Sequence, residues 1–289
     1  MTIIWYFLKR HSVLAYFALT FALSWGGILS VVGPGGIAGN PEQIEAQLPF
    51  VYLAMLAGPS VAGILLTCLV YGRKGLRDLL SRFLTWRVGA GWYAASLLIA
   101  PLVATAVLLV LSLFSPAFFL GLSTSGDGPA LLLSGITVGL VVGFFEELGW
   151  TGFAVPKMRL RYGPVTTGLI VGVVWGAWHL LVNLESDSFY SVVPLALLLA
   201  RLFSWLPPYR VLMVWVHDRT DSLLVVMLMH ASLVTTLFVL VPQSLEGISL
   251  LTWILAWAVA LWIVVAVSAA LSGRLLGHNQ TFACKDRTL

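Results

Sequence analysis

The sequence predicts an all-α, polytopic membrane protein: a bundle of about eight spans with both termini cytoplasmic. Three observations predict it. Of 289 residues, 60% are apolar and only 10% charged, and the mean hydropathy is +0.97, outside the range of soluble globular domains. The apolar residues gather into runs near the ~20 needed to cross a hydrocarbon core. Loop Lys and Arg fall only at alternate ends of those runs, as they do where such ends are cytoplasmic.

In chain order the runs cover about 13–33, 49–71, 90–114, 129–153, 164–184, 190–216, 222–241 and 249–273. Lys9 and Arg10 precede the first; Arg73, Lys74, Arg77, Arg82 and Arg87 follow the second. Lys157, Arg159 and Arg161 follow the fourth, Arg219 the sixth, and Arg274, Lys285 and Arg287 close the chain. The opposite loops hold Glu42, Glu45, Asp127, Glu185, Asp187 and Glu246 and no Lys or Arg. An even span count follows, with these basic ends inside. The first run lacks a small-residue cleavage site and is expected to be a retained helix. The whole chain reads as one integral membrane domain, residues 1–289.

The pI near 9.2 comes from the basic loops and implies no nucleic-acid partner. Cys68 lies in a span and Cys284 in the tail, which supports neither a disulfide framework nor a metal knuckle. The C-terminal CKDRTL is not a prenylation box, because its cysteine is too far from the end.

Residues 72–86 place Leu76, Leu79, Leu80, Phe83 and Leu84 at helical spacing, with Arg73, Lys74, Arg77 and Arg82 for the other face. This segment is expected to lie flat on the inner leaflet. Gly135, Gly139 and Gly143 in span four, and Gly168, Gly172 and Gly176 in span five, recur every fourth residue. Small residues at that spacing let helix backbones approach closely. Each stripe ends three residues before a titratable side chain, Glu146 or His179. In span six, Pro207 and Pro208 break the helix between Arg201 and Arg210.

The ionisable residues inside the spans are Glu146 and Glu147, His179, Arg201 and Arg210, and His230. A charge near the bilayer centre costs at least ~2.5–3.5 kcal/mol on insertion scales, so these groups need partners or a wet cavity. Glu147 is expected to pair with Arg201 or Arg210, with depth counting in favour of Arg210. Adjacent helical residues point about 100° apart, so one glutamate faces the reaction and the other supports it. A carboxylate beside an imidazole can act as general base on water. Alternatively, Glu146, His179 and His230 could ligate zinc, leaving a fourth position for water. Counting at about 1.5 Å per residue puts Glu146 and His230 about 10–12 Å from the basic ends but His179 about 22 Å. A shared site therefore requires span four to run to Met158 or span five to start near Thr167.

EELGWTGF at 146–153, WGAWH at 175–179 and HASLV at 230–234 resemble the three motifs of the CAAX prenyl-protease and bacteriocin-processing (CPBP) family of intramembrane proteases. The resemblance covers about residues 129–241. It implies that Glu146 activates the attacking water with His179, that His230 helps to stabilise the oxyanion, and that Glu147 is the supporting carboxylate. Zinc is a cofactor that the resemblance permits and does not require. Two positions depart from the family's fullest pattern: Thr151 stands where the first motif carries Arg, and Val234 where the third carries an Asn donor. Asn183 and Thr235 are the nearest substitute donors.

The expected function is intramembrane endopeptidase action on a membrane-embedded or membrane-associated peptide or protein. The bilayer expected around it is a bacterial plasma membrane, and the cavity is expected to open toward the cytoplasm and the membrane. Two rival readings use the same residues. One is a proton-coupled transporter with Glu146, Glu147, His179 and His230 as relay, though no inverted repeat supports it. The other is a non-catalytic immunity or scaffold protein.

Overall fold

The computed structural model describes residues 3–33, 41–121, 127–185 and 187–272; among them every regular element is helical. The tail residues Arg274, Cys284, Lys285 and Arg287 lie outside the described residues. A short α1 (Ile3–Arg10) turns at His11 into α2 (Ser12–Val32). Then come α3 (Pro41–Leu66), α4 (Gly72–Phe83), α5 (Ala90–Ser112), α6 (Gly128–Gly149), α7 (Val155–Arg159) and α8 (Pro164–Trp178). The chain continues with α9 (Leu180–Asn183), α10 (Val192–Phe203), α11 (Leu206–Thr220), α12 (Leu223–Leu240) and α13 (Gly247–Ser272).

Among the described residues, 7 helical segments are long and apolar enough to cross a membrane, and Pro164–Trp178 is a shorter apolar helix beside them. The multispan bundle is therefore as expected, with three changes of boundary. Span four does not stop at 153: a wide π-helical turn, Trp150–Ala154, carries it into α7 as far as Arg159. Span five ends at Trp178, where the His179 amide donates to the Gly176 carbonyl at 3.0 Å and tightens the last turn. Span six is divided, with α11 beginning at Leu206 and its two prolines in the first turn, where a missing N–H costs no helical hydrogen bond.

Both glycine stripes are contact surfaces. A Cβ on Gly139 would lie 2.5 Å from the Ala231 carbonyl oxygen, and one on Gly143 2.6 Å from that of Met227, so α6 rests directly on the backbone of α12. Thr235 ties the same pair by donating to the Gly135 carbonyl at 3.0 Å. In the second stripe, a Cβ on Gly168 would sit 2.5 Å from Val211 Cα and one on Gly172 2.5 Å from Pro207 Cα. That brings α8 against α11 just past the proline break. Helix α3 closes the other side of α6, where Ser60 Oγ donates to the Phe145 carbonyl at 2.5 Å.

Gly72, at φ 59°, lets the chain change direction between the π-turn that ends α3 and α4. Helix α4 buries Leu79 against Leu223 and Met227 and leaves Leu76, Leu80 and Leu84 exposed. Its Arg82 donates to the Gly152 carbonyl at 2.9 Å, which fastens the amphipathic segment over the π-turn.

These contacts make Gly172 sensitive to a single methyl group, because the atom that would be struck belongs to a proline backbone that cannot swing away. Gly172→Ala is expected to cost about 1–3 kcal/mol and to lower the unfolding temperature in detergent. Gly26→Ala is the control, since nothing lies within 4 Å of its Cβ position, and it is expected to hold or raise that temperature. Equal temperatures for the two variants would show that the α8–α11 contact is not tight.

Candidate active site

Glu147 is fully buried, and every oxygen it carries is engaged. Arg210 Nη1 donates to Oε1 at 2.9 Å and to Oε2 at 2.8 Å, with both side chains at 0% exposure. His230 Nδ1 donates to Oε1 at 2.7 Å. Thr151, one turn on, donates its hydroxyl to Oε2. The expected ion pair is therefore with Arg210. Arg201 instead pairs with Glu185 at 2.5 Å, near the far end of α10. The position that departs from the family pattern is accounted for as well. Thr151 supplies the neutral i+4 donor, and the charge arrives from α11 rather than from the next turn of the same helix.

Glu146 points elsewhere, as the 100° offset requires. Its Oε2 accepts a hydrogen bond from Trp175 Nε1 at 2.7 Å, and it lines a cavity of about 680 Å3 together with His179 and His230. Trp175 joins the whole group. Its ring lies 5.3 Å from the His230 ring and 5.5 Å from the His179 ring, both edge-on, and the Arg210 guanidinium sits 4.2 Å over it. The depth difference counted from sequence is thus closed by the longer span four and by an indole that bridges the remaining distance. Trp175 was not among the expected site residues. Its sequence signal is its place at the head of WGAWH, four residues before His179, where the helix puts both on one face.

The two histidines have their tautomers set by their partners. His179 Nδ1 donates to the Trp175 carbonyl at 2.8 Å, and His230 Nδ1 to Glu147, so each has Nε2 left for the cavity. Nδ1 bonded to an acceptor with Nε2 free is also the arrangement in which histidines bind zinc. Among the described residues, however, no three His, Cys, Asp or Glu side chains are grouped so as to hold a metal ion. Glu146, His179 and His230 share a cavity without forming a ready three-ligand centre.

Val234 lines the same cavity one turn after His230. Asn183 lines it too, with its Nδ2 donating to the His179 carbonyl at 3.0 Å. Thr235 is turned away: its hydroxyl serves the carbonyls of Gly135 and Ala231, so it is no substitute for an oxyanion donor. The cavity was expected to open toward the cytoplasm and the membrane; its lining extends toward the acidic-loop ends of the helices. The lining continues from Glu146 and His230 past Leu233, Leu237 and Val241 to Gln243 and Leu245, and includes Arg201 and Asn183. Of these, Val241, Gln243 and Leu245 follow the end of α12 that leads to Glu246, and Asn183 ends the short helix that leads to Glu185. The other end is filled by buried Trp150, Thr151 and Phe153 of the π-turn, with α4 fastened over them.

Comparison with known proteins bears on the same stretch. Residues 128–236 match the family model described as type II CAAX prenyl endopeptidase Rce1-like. CAAX prenyl protease 2 of Methanococcus maripaludis is 32% identical over 50 residues, an alignment that covers 17% of this chain and 18% of that relative. The matched segment contains Glu146, Glu147, Trp175, His179, Arg210 and His230, and the resemblance read from the three motifs is borne out: in this stretch the chain is similar to the CAAX-protease family of membrane proteins.

Proposed function

We propose that the protein is an intramembrane endopeptidase that hydrolyses a peptide bond of a membrane-embedded or membrane-associated protein or peptide, with water activated at Glu146 and His179. One observation carries this reading. A single cavity within the bundle is lined by Glu146, His179 and His230, while Glu147 and Arg210 lie beneath it, sealed and mutually neutralised. Leu233, Leu237, Leu250, Trp253 and Ile254 make its walls apolar, suited to a substrate segment that leaves the lipid phase.

In this mechanism a water molecule is held between the Glu146 carboxylate and His179 Nε2. Glu146 takes one of its protons as the water oxygen adds to the peptide carbonyl carbon. His230, oriented by its Nδ1–H on Glu147, turns Nε2 toward the oxyanion that forms and donates to it when that nitrogen carries a proton. Glu146 then returns its proton to the leaving nitrogen as the C–N bond breaks, and the products are an acid and an amine. Glu147 and Arg210 touch no reacting atom; they position His230 and keep the charge of the group balanced. Trp175 fixes Oε2 of Glu146 and so leaves Oε1 to face the water.

Glu146→Gln and His179→Ala are expected to lower cleavage of a membrane-peptide library by roughly a hundred- to ten-thousand-fold, with the unfolding temperature unchanged. Wild-type rates from either variant would remove that residue from the mechanism, and a parallel assay with chelator reports whether a metal takes part.

Arg210→Met isolates the buried charge of Glu147 and is expected to destabilise the fold by about 3–5 kcal/mol. Adding Glu147→Gln should restore most of that stability, because the amide still accepts from Thr151 and no charge is left behind. If the double variant unfolds as readily as the single one, the pair is not what neutralises this part of the bundle.

Val234→Asn would place an amide on the cavity face beside His230. Its expected effect is a rise in kcat with little change in KM, since the new donor meets charge that exists only in the transition state. A folded variant with unaltered kcat would mean that residue 234 does not face the reacting carbonyl.

A further inference from the structure

At the end of the bundle that carries the basic loops lies a second cavity, of about 320 Å3, between the start of α2 and the turn from α7 to α8. Lys9, Arg10, Lys157 and Arg161 line it, and no Asp or Glu does. The ion pairs among the described residues join Arg159 to Asp218, Arg201 to Glu185, and Arg210 and His230 to Glu147, so these four cations take part in none. Lys157 lies 3.7 Å over the ring of Tyr71, which also lines the cavity, and Lys9 5.0 Å over the Trp5 ring. Like charges gathered in this way repel one another, and a bound anion reverses the sign of that interaction.

The backbone adds to the same field. Helix α2, 21 residues long, begins at Ser12 in the wall of the cavity. The first turn of this helix, with the positive end of its dipole, thus forms part of the wall that the four cations share. Below them the lining changes character: Val13, Phe17 and Ile170 continue the cavity toward the apolar part of the bundle. A small inorganic anion has no use for such a floor, whereas the glycerol and upper acyl chain of a lipid do.

We propose that this cavity binds the phosphodiester headgroup of an anionic phospholipid, with the phosphate among Lys9, Arg10, Lys157, Arg161 and the start of α2, and an acyl chain along Val13, Phe17 and Ile170. The shared chemistry is that of a phosphate anion; the apolar floor selects the lipid over free phosphate. Basic pockets between helices at a membrane surface take such headgroups. The site contains none of the residues of the candidate active site, so either assignment can fail without the other.

Native mass spectrometry of protein moved from phosphatidylglycerol–phosphatidylcholine nanodiscs into detergent reads the lipid retained. One phosphatidylglycerol per chain is expected, with thermal protection that phosphatidylcholine does not give. Arg10→Gln with Arg161→Gln, both exposed and in no ion pair, should cut retention by at least about tenfold. Lys157→Gln should weaken it in the same direction. Arg73→Gln with Arg77→Gln removes the same charge from α4, outside the cavity, and should leave retention unchanged. The proposal is overturned if the α4 control loses lipid equally, if phosphatidylcholine is retained as well as phosphatidylglycerol, or if inorganic phosphate alone protects as strongly as the lipid.

Discussion

The buried pair between Glu147 and Arg210 is the constraint around which the rest of the bundle is arranged. Two full charges in a membrane interior are tolerable only when each meets the other at hydrogen-bond distance and the remaining lone pairs find donors. Here that demand draws together three separate segments: α6 with Glu147, α11 with Arg210 and α12 with His230, while Thr151 closes the last oxygen. Once these are fixed, Glu146, about 100° round the helix from Glu147, points to another side, and Trp175 meets it there.

Such contacts require helices that approach more closely than ordinary side chains allow. The glycines of α6 and α8 provide that approach, each stripe running up to the turn before its ionisable residue. The proline break does related work on α11. By starting a new helix at Leu206, it sets the direction from which Arg210 enters, buried to 0% beneath the cavity. Backbone devices that cost intrinsic helical stability are thus concentrated where charged side chains need to meet.

Much of this was legible in the sequence. Ionisable residues are so disfavoured in lipid that Glu146, Glu147, His179 and His230 stood out by rarity alone, and counting turns favoured Arg210 as the partner of Glu147 while leaving Arg201 open. The parts that were not legible share a physical reason: they depend on directions that only tertiary packing sets. A span tryptophan looks like lipid-facing bulk, and nothing local says that the Trp175 N–H points at a carboxylate. Thr151 read as the loss of an arginine because its replacement arrives from a helix some sixty positions along the chain. Arg201 lay inside an apolar run, yet the loop carboxylate of Glu185 folds back to it. The direction of the cavity could not be read either, since it depends on which end the π-turn and α4 seal.

That seal governs traffic. Among the described residues the basic-loop end is packed by Trp150, Thr151 and Phe153, so under the proposed hydrolysis products would depart past the same walls by which substrate entered. Occupancy would then be exclusive: on that reading a fragment lingering against Leu237 or Trp253 would block its successor. The pace of repeated visits would depend on release past Arg201 as much as on the carboxylate below.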